Sequence, residues 1–142
     1  MVIRKFRLKD YSRVLEIWAE GLLPFRPRGR DSRKNIARQM RRPNVLFLVA
    51  EDHGRVVGTV LVTHDGRKGW INRLAVESAR RQKGIGRRLV HEAEKWLAHS
   101  GLSIFACLIE GANDDSMAFF QRLGYIRHTD IFYFSKRRHA GV

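Results

Sequence analysis

The stretch LAVESARRQKGIGRRLVHEAEKWL, residues 74 to 97, decides how the rest of the chain is read. It starts as the end of an apolar strand, crosses a loop of cations and glycines, and ends in a helical pattern. Ile85, Leu89, Ala93, Trp96 and Leu97 recur at helical spacing. Five cations lie among the nine residues from Arg80 to Arg88. A helix N-terminus offers unpaired backbone N–H groups and a partial positive charge. Glycine lets backbone approach a ligand with no Cβ between them. The combination is an anion site in outline. A P-loop is excluded, because Arg87 and Arg88 follow the glycines where Lys-Ser or Lys-Thr would be needed. A dinucleotide fingerprint is excluded because Leu89 stands at the third glycine position. What remains is R-x-x-G-x-G, Arg81 to Gly86, a short pattern that a solvated basic helix start would also produce.

Reading outward from this stretch gives an α/β alternation. VIRKFRL (2–8) alternates apolar and basic residues and reads as a half-buried strand. Asp10 is placed to cap the helix that follows, whose apolar face is Val14, Leu15, Ile17 and Trp18. Pro24, Pro27 and Gly29 mark a loop, and a short basic helix runs from about Ser32 to Arg42, ended by Pro43. NVLFLVAED and RVVGTVLVTHD flank a turn at Gly54, and WINRLAV follows a second turn, Asp65 to Gly69, so three strands form a meander. After the 84–99 helix, LSIFACLIE reads as a strand and DDSMAFFQRL as a helix ended by Gly124. DIFYFSKR reads as a last strand. No repeat or linker divides residues 1–142, which are expected to form one domain.

Composition narrows the class. The chain has 142 residues, 28 Lys and Arg against 14 Asp and Glu, and a formal charge of +14. Such a surface draws polyanions: nucleic acid, nucleotide cofactors or acidic proteins. Eight of the 17 residues from Arg26 to Arg42 are cationic. The longest apolar run, Val45 to Ala50, is too short to span a bilayer. The N-terminal residues lack the apolar core of a signal peptide. Cys107 is the single cysteine and has no partner for an internal disulfide. The expectation is a cytoplasmic protein.

LAV at 74–76 followed by the basic glycine loop resembles the GNAT acetyltransferases, whose pyrophosphate loop is R/Q-x-x-G-x-G/A between the fourth strand and third helix. NDDSMAFFQRLGY, 113–125, resembles the family's downstream segment of Asn, helix and Leu-Gly-aromatic. The order of the remaining elements agrees, so the likeness covers almost the whole chain, and it is to small single-domain prokaryotic members. It implies a mixed α+β fold: a mostly antiparallel, twisted sheet of six to seven strands, flanked by about four helices and splayed between strands 4 and 5.

The resemblance also implies chemistry. Acetyl-CoA would be the cosubstrate, with its pyrophosphate on the loop Arg81, Gln82, Lys83, Gly84, Ile85, Gly86 and Arg87. Leu74, Ala75 and Val76 would line the pantetheine arm, and the Val76 N–H would face the thioester oxygen. Asn113 would contact the pantetheine near the sulfur. The acceptor would be a primary amine, on a protein N-terminus, a lysine or a small molecule, attacking directly in a ternary complex. The family's usual acid, a Tyr, falls on Phe120, and its usual Glu base falls on Leu108 or near Asn72. Glu110, two residues beyond Leu108 on an extended segment, shares that face and is the candidate base through water, or else a solvated strand-end residue.

Other candidates carry less. Cys107 has no His near it in sequence and reads as a small buried hydrophobe. His91 and His99 are too far apart for one metal, no Cys or carboxylate cluster completes a site, and no metal is expected. Trp18, Trp70 and Trp96 fit core faces. Tyr125 and Tyr133 read as sheet packing, though either could stand in for the missing acid. The 26–42 segment borders the acceptor site in the family. It is read either as receiving an acidic acceptor or as a solvated basic face. The competing reading is a basic RNA- or DNA-binding or regulatory module that retains CoA binding without catalysis. It requires aromatics interleaved with cations on an exposed face, whereas IFYF and AFF sit in apolar periodic positions that favour a core.

Overall fold

The computed structural model describes residues 1–142. Its five strands are β1 (Val2–Lys5), β2 (Val45–Asp52), β3 (Arg55–His64), β4 (Gly69–Val76) and β5 (Phe105–Ala106), hydrogen-bonded in that order. All neighbours are antiparallel except β4 and β5, which are parallel. The helices are α1 (Tyr11–Glu20), α2 (Arg33–Met40), α3 (Ile85–His99) and α4 (Asp114–Arg122).

The run VLFLVA is continuously apolar because both faces of β2 are covered. Leu46, Leu48 and Ala50 point to one face and Phe47 and Val49 to the other, as the two-residue period of a strand requires. On one side Leu89, Val90, Ala93 and Leu97 of α3 complete the core. On the other Val14, Ile17 and Trp18 of α1 and Ile36 of α2 do so. The β2–β3 hairpin turns through His53 and Gly54, both at positive φ (48° and 75°), which fits a two-residue hairpin turn. The Ser32 side chain caps α2 by accepting from the Asn35 N–H. Gly124 ends α4 at φ 93°.

Three expectations are corrected. Asp10 does not cap α1 through its side chain. Its carboxylate is held by the Arg4 guanidinium and the Arg7 N–H, which leaves it turned away from the α1 amides. The expected strand across 102–110 shrinks to Phe105–Ala106, since β5 pairs only with Gly69 and Trp70. The expected last strand does not form: 126–138 has no strand pairing, and Phe132, Tyr133 and Phe134 are 77%, 68% and 90% exposed. The placement of IFYF in a core was therefore wrong. The end of the chain is instead held near the 29–30 loop, where the Arg30 N–H donates to the Gly141 carbonyl (3.0 Å). That tether draws the segment off the outer edge of β5, and the sheet has five strands rather than six or seven.

Past the short pairing with β5, β4 is irregular. Thr59 faces Ala75 but Leu61 faces Asn72, so β4 carries an extra residue and bulges. Arg73 sits in the bulge at φ 53°. Buried Thr59 fixes it: its hydroxyl donates to the Arg73 carbonyl (2.9 Å) and accepts from the Trp18 indole N–H (3.1 Å). Beyond the bulge, the β4 edge facing β5 is free.

Candidate active site

The site gathers around that free edge. The Glu77 N–H donates to the Val57 carbonyl on β3 (2.8 Å). Gly58 and Val76 are therefore a non-hydrogen-bonded antiparallel pair, and the Val76 N–H and C=O point away from β3. The Val76 carbonyl accepts instead from Arg81 Nε (3.2 Å). Leu74, Ala75 and Val76 thus lie on a strand whose outer side carries an unpaired edge, with Leu74 lining the open cleft and Ala75 packed in the core.

Just beyond lies the glycine loop. Gln82 and Gly84 both take left-handed conformations (φ 60° and 79°). The first helical bond of α3 runs from the Arg88 N–H to the Gly84 carbonyl (3.1 Å). Before it, the six consecutive N–H groups of Gln82, Lys83, Gly84, Ile85, Gly86 and Arg87 have no backbone or side-chain acceptor. Donors so arranged, at the positive end of a fifteen-residue helix, form an anion cradle. The surrounding cations divide in two. Arg80 pairs with Asp52 (2.5 Å) and Arg81 is folded onto Val76, while Lys83, Arg87 and Arg88 are exposed and unpaired.

The two glycines serve different ends. A Cβ on Gly84 would meet nothing within 4 Å, but its φ disfavours any other residue. A Cβ on Gly86 would lie 3.3 Å from Phe119 Cζ of α4, so Gly86 permits α3 and α4 to approach.

An open cleft of about 890 Å³ continues from the splay. One wall comes from β3 and β4, a second from Cys107 to Glu110 and Asn113, and a third from the 22–31 loop and α2. Asn113 lies there, but its side-chain oxygen caps α4 by accepting from the Ser116 N–H (3.1 Å), leaving its amide NH₂ for other contacts. Glu110 is exposed and lines the cleft, as does Leu108. Phe120 borders it with no proton to give.

Neither Tyr125 nor Tyr133 lines the cleft. The Tyr125 hydroxyl donates to Glu94 on α3 (2.7 Å), and burial, then the adjacent carboxylate, hold it far above the usual phenol range. Tyr133 is exposed on the C-terminal segment, away from the cleft lining. Burial pushes the Cys107 thiol up to about 11, which removes the thiolate a nucleophile needs. No three His, Cys, Asp or Glu side chains converge as metal ligands, and no helix is long and apolar enough to cross a membrane.

Sequence reading missed the contact that shapes the cleft wall. Asp31, the one carboxylate in the basic segment, is buried and accepts from the Arg26 N–H (2.8 Å) and from Arg73 (3.1 Å). Arg73 also lies over the Trp18 ring, 4.9 Å from its centroid. Only the lone acid among eight cations hinted at it.

A free strand edge, an anion cradle at a helix start and a cleft between them make up the candidate site. The model of the acetyltransferase (GNAT) family matches residues 11–125, and the chain belongs to that family of acyltransferases. Solved structures agree in fold. A putative acetyltransferase from Agrobacterium tumefaciens is 18% identical, with a TM-score of 0.79 over 96% of this chain and 100% of that one. Glucosamine-6-phosphate N-acetyltransferase from Arabidopsis thaliana is 17% identical, with a TM-score of 0.77 over 97% and 98%. The PaiA N-acetyltransferase from Thermoplasma acidophilum, solved with coenzyme A, is 21% identical, with a TM-score of 0.75 over 86% and 87%.

Proposed function

We propose that residues 1–142 form a single N-acetyltransferase domain that moves an acetyl group from acetyl-CoA to a primary amine in the cytoplasm. The observation that carries this reading is the run of six acceptor-free N–H groups, Gln82 to Arg87, beside the free edge at Val76. The run suits a pyrophosphate, and the spare edge suits an extended arm bearing amides.

The residues divide the chemistry between them. Gln82 to Arg87 hold the phosphates through backbone, while Lys83, Arg87 and Arg88 add screened positive charge. The Val76 N–H, directed away from β3, donates to the thioester oxygen as it gains charge. The amine nitrogen bonds to the acetyl carbon, the C–S bond breaks and the thiolate departs. The amine's proton must leave for water or a base, because a lysine-like amine is protonated at neutral pH. Glu110, an exposed carboxylate on the cleft wall with no partner in the protein, unlike the paired Asp31, is our candidate to take it through water. Phe120 gives no help to the thiolate, which leaves as the anion or is protonated by solvent.

One observation favours a second reading. Phe132, Tyr133 and Phe134 are exposed and lie beside Lys136, Arg137 and Arg138, a pairing of aromatics and cations that suits single-stranded nucleic acid. The test compares ligands directly. Acetyl-CoA at millimolar concentration raises the melting temperature, since a ligand bound only by the folded state stabilises it, and an amine panel releases free CoA. No shift with acetyl-CoA, beside a clear shift with single-stranded RNA, would contradict the enzyme.

A further inference from the structure

Four arginines line the cleft: Arg30, Arg38, Arg42 and Arg73. Arg30 and Arg73 are both held on Asp31. Arg38 and Arg42 form no ion pair and no side-chain hydrogen bond in the protein. Arg38 lies in the last turn of α2 and Arg42 two residues past its end, and both line the cleft. Ile36, on another face of α2, is buried against the sheet. The other unpaired cations of this region, including Lys34 and Arg41, do not line the cleft. The basic segment is therefore divided: some of its charge faces bulk solvent, and two unpartnered guanidiniums face the cleft.

Their place along the cleft sets the shape of a ligand. The Arg42 carbonyl accepts from the Val45 N–H, Val45 faces Thr63, and Thr63 faces Trp70. Arg42 thus stands at the Trp70 end of β4, opposite the Val76 end. Asn72, which lines the cleft between them, is roughly 13 Å from Val76 at the strand rise.

Resting on the acetyltransferase reading, we propose that Arg38 and Arg42 form an anion subsite for the acceptor, a small amine that also carries a phosphate or carboxylate. The guanidiniums grip the anion by charge-assisted hydrogen bonds, and the amine is left at the Val76 end. Gly141 closes against Gly29 at the margin of the cleft, where a Cβ would lie 2.1 Å from the Gly141 oxygen; the proposal is for a small molecule, and the oligonucleotide below tests the polymer.

The test uses the full chain and four probes: 6-aminohexyl phosphate, 7-aminoheptanoate, the neutral 6-aminohexanol and a single-stranded oligonucleotide. Binding is measured by calorimetry with and without CoA, so the outcome does not depend on turnover. The double variant Arg38→Gln/Arg42→Gln should weaken the preferred anionic amine by about tenfold or more. It should leave aminohexanol and acetyl-CoA unchanged. The control Lys34→Gln/Arg41→Gln should change none of the small probes. Phosphate and carboxylate arms show which anion is preferred. Equal losses from both double variants, a loss confined to the oligonucleotide, or no anionic preference in the wild-type chain would overturn the subsite. Failure of acetyl-CoA to bind would instead overturn the acetyltransferase reading and leaves the amine-binding result to be judged by itself.

Discussion

Gly86 faces the ring of Phe119, and a Cβ built on Gly86 would stand 3.3 Å from Phe119 Cζ and 3.8 Å from a methyl of Val76. The glycine of the phosphate loop is therefore also a packing glycine, holding α3, α4 and the end of β4 together. Gly86→Asp should lower stability by about 2 kcal/mol through overpacking and should abolish CoA binding by setting a carboxylate at the anion cradle. Adding Phe119→Ala should recover part of the stability but none of the CoA affinity. Urea melts and calorimetry on the single and double variants separate the two effects. Full recovery of affinity would place the role of Gly86 in packing alone.

Asp31 and Arg73 form the wall of the cleft, with side chains only 11% and 14% exposed. Burial lowers the Arg73 pKa and Asp31 opposes that shift. Asp31→Asn leaves the guanidinium short of its partner and should cost about 2 kcal/mol, below the full penalty for a wholly buried pair. Arg73→Met should cost less when Asp31 is already Asn than in the wild-type chain, a coupling that a double-mutant cycle reads directly.

Asp10 gives a pH dependence with a definite sign. The Arg4 guanidinium, helped by the Arg7 N–H, holds its carboxyl below the usual 3.8. The unfolded chain thus binds the proton more readily. The contribution of Asp10 is present above about pH 4 and is lost as the pH falls through the lower folded value. Asp10→Asn should therefore be less stable than wild type at pH 7, with the gap narrowing toward pH 2. A gap that stays constant across that range would show that the ion pair contributes nothing through proton linkage.

Cys107 should behave as a packing residue. With its thiol raised to about 11, alkylation by iodoacetamide at pH 7.5 should run well below the rate of a free cysteine. Cys107→Ser should retain acetyl transfer. Loss of transfer in a folded Cys107→Ser chain would reopen a covalent route.

The legible parts of the molecule were those set by local pattern. Period-two alternation in VIRKFRL, the turn at Gly54, the stop at Pro43 and the stripe Leu89, Ala93, Leu97 each identify an element without reference to its neighbours. The anion cradle was legible for the same reason, since a helix start with glycines fixes its own N–H groups. What depended on distant partners was not. IFYF has the composition of a strand, but Gly141 is tethered at Arg30 and the segment never meets an edge. A splay was implied by family likeness, but the Trp18–Thr59–Arg73 chain of contacts at the β4 bulge spans 55 residues of sequence and leaves no local mark. Arg38 and Arg42 were indistinguishable from their basic neighbours until α2 was oriented against the sheet.

The central claim is that backbone amides from Gln82 to Arg87, not the cations around them, hold the cofactor's phosphates. Amide hydrogen exchange and chemical shifts, followed residue by residue as CoA is added, test it most directly. The account predicts that these six amides and that of Val76 show the largest shifts and slow in exchange. Lys83→Ala or Arg88→Ala should each reduce CoA affinity by only about 1 kcal/mol or less. Unchanged amides at 82–87, with perturbation confined to the basic 26–42 segment and binding lost on single cation deletions, would contradict it.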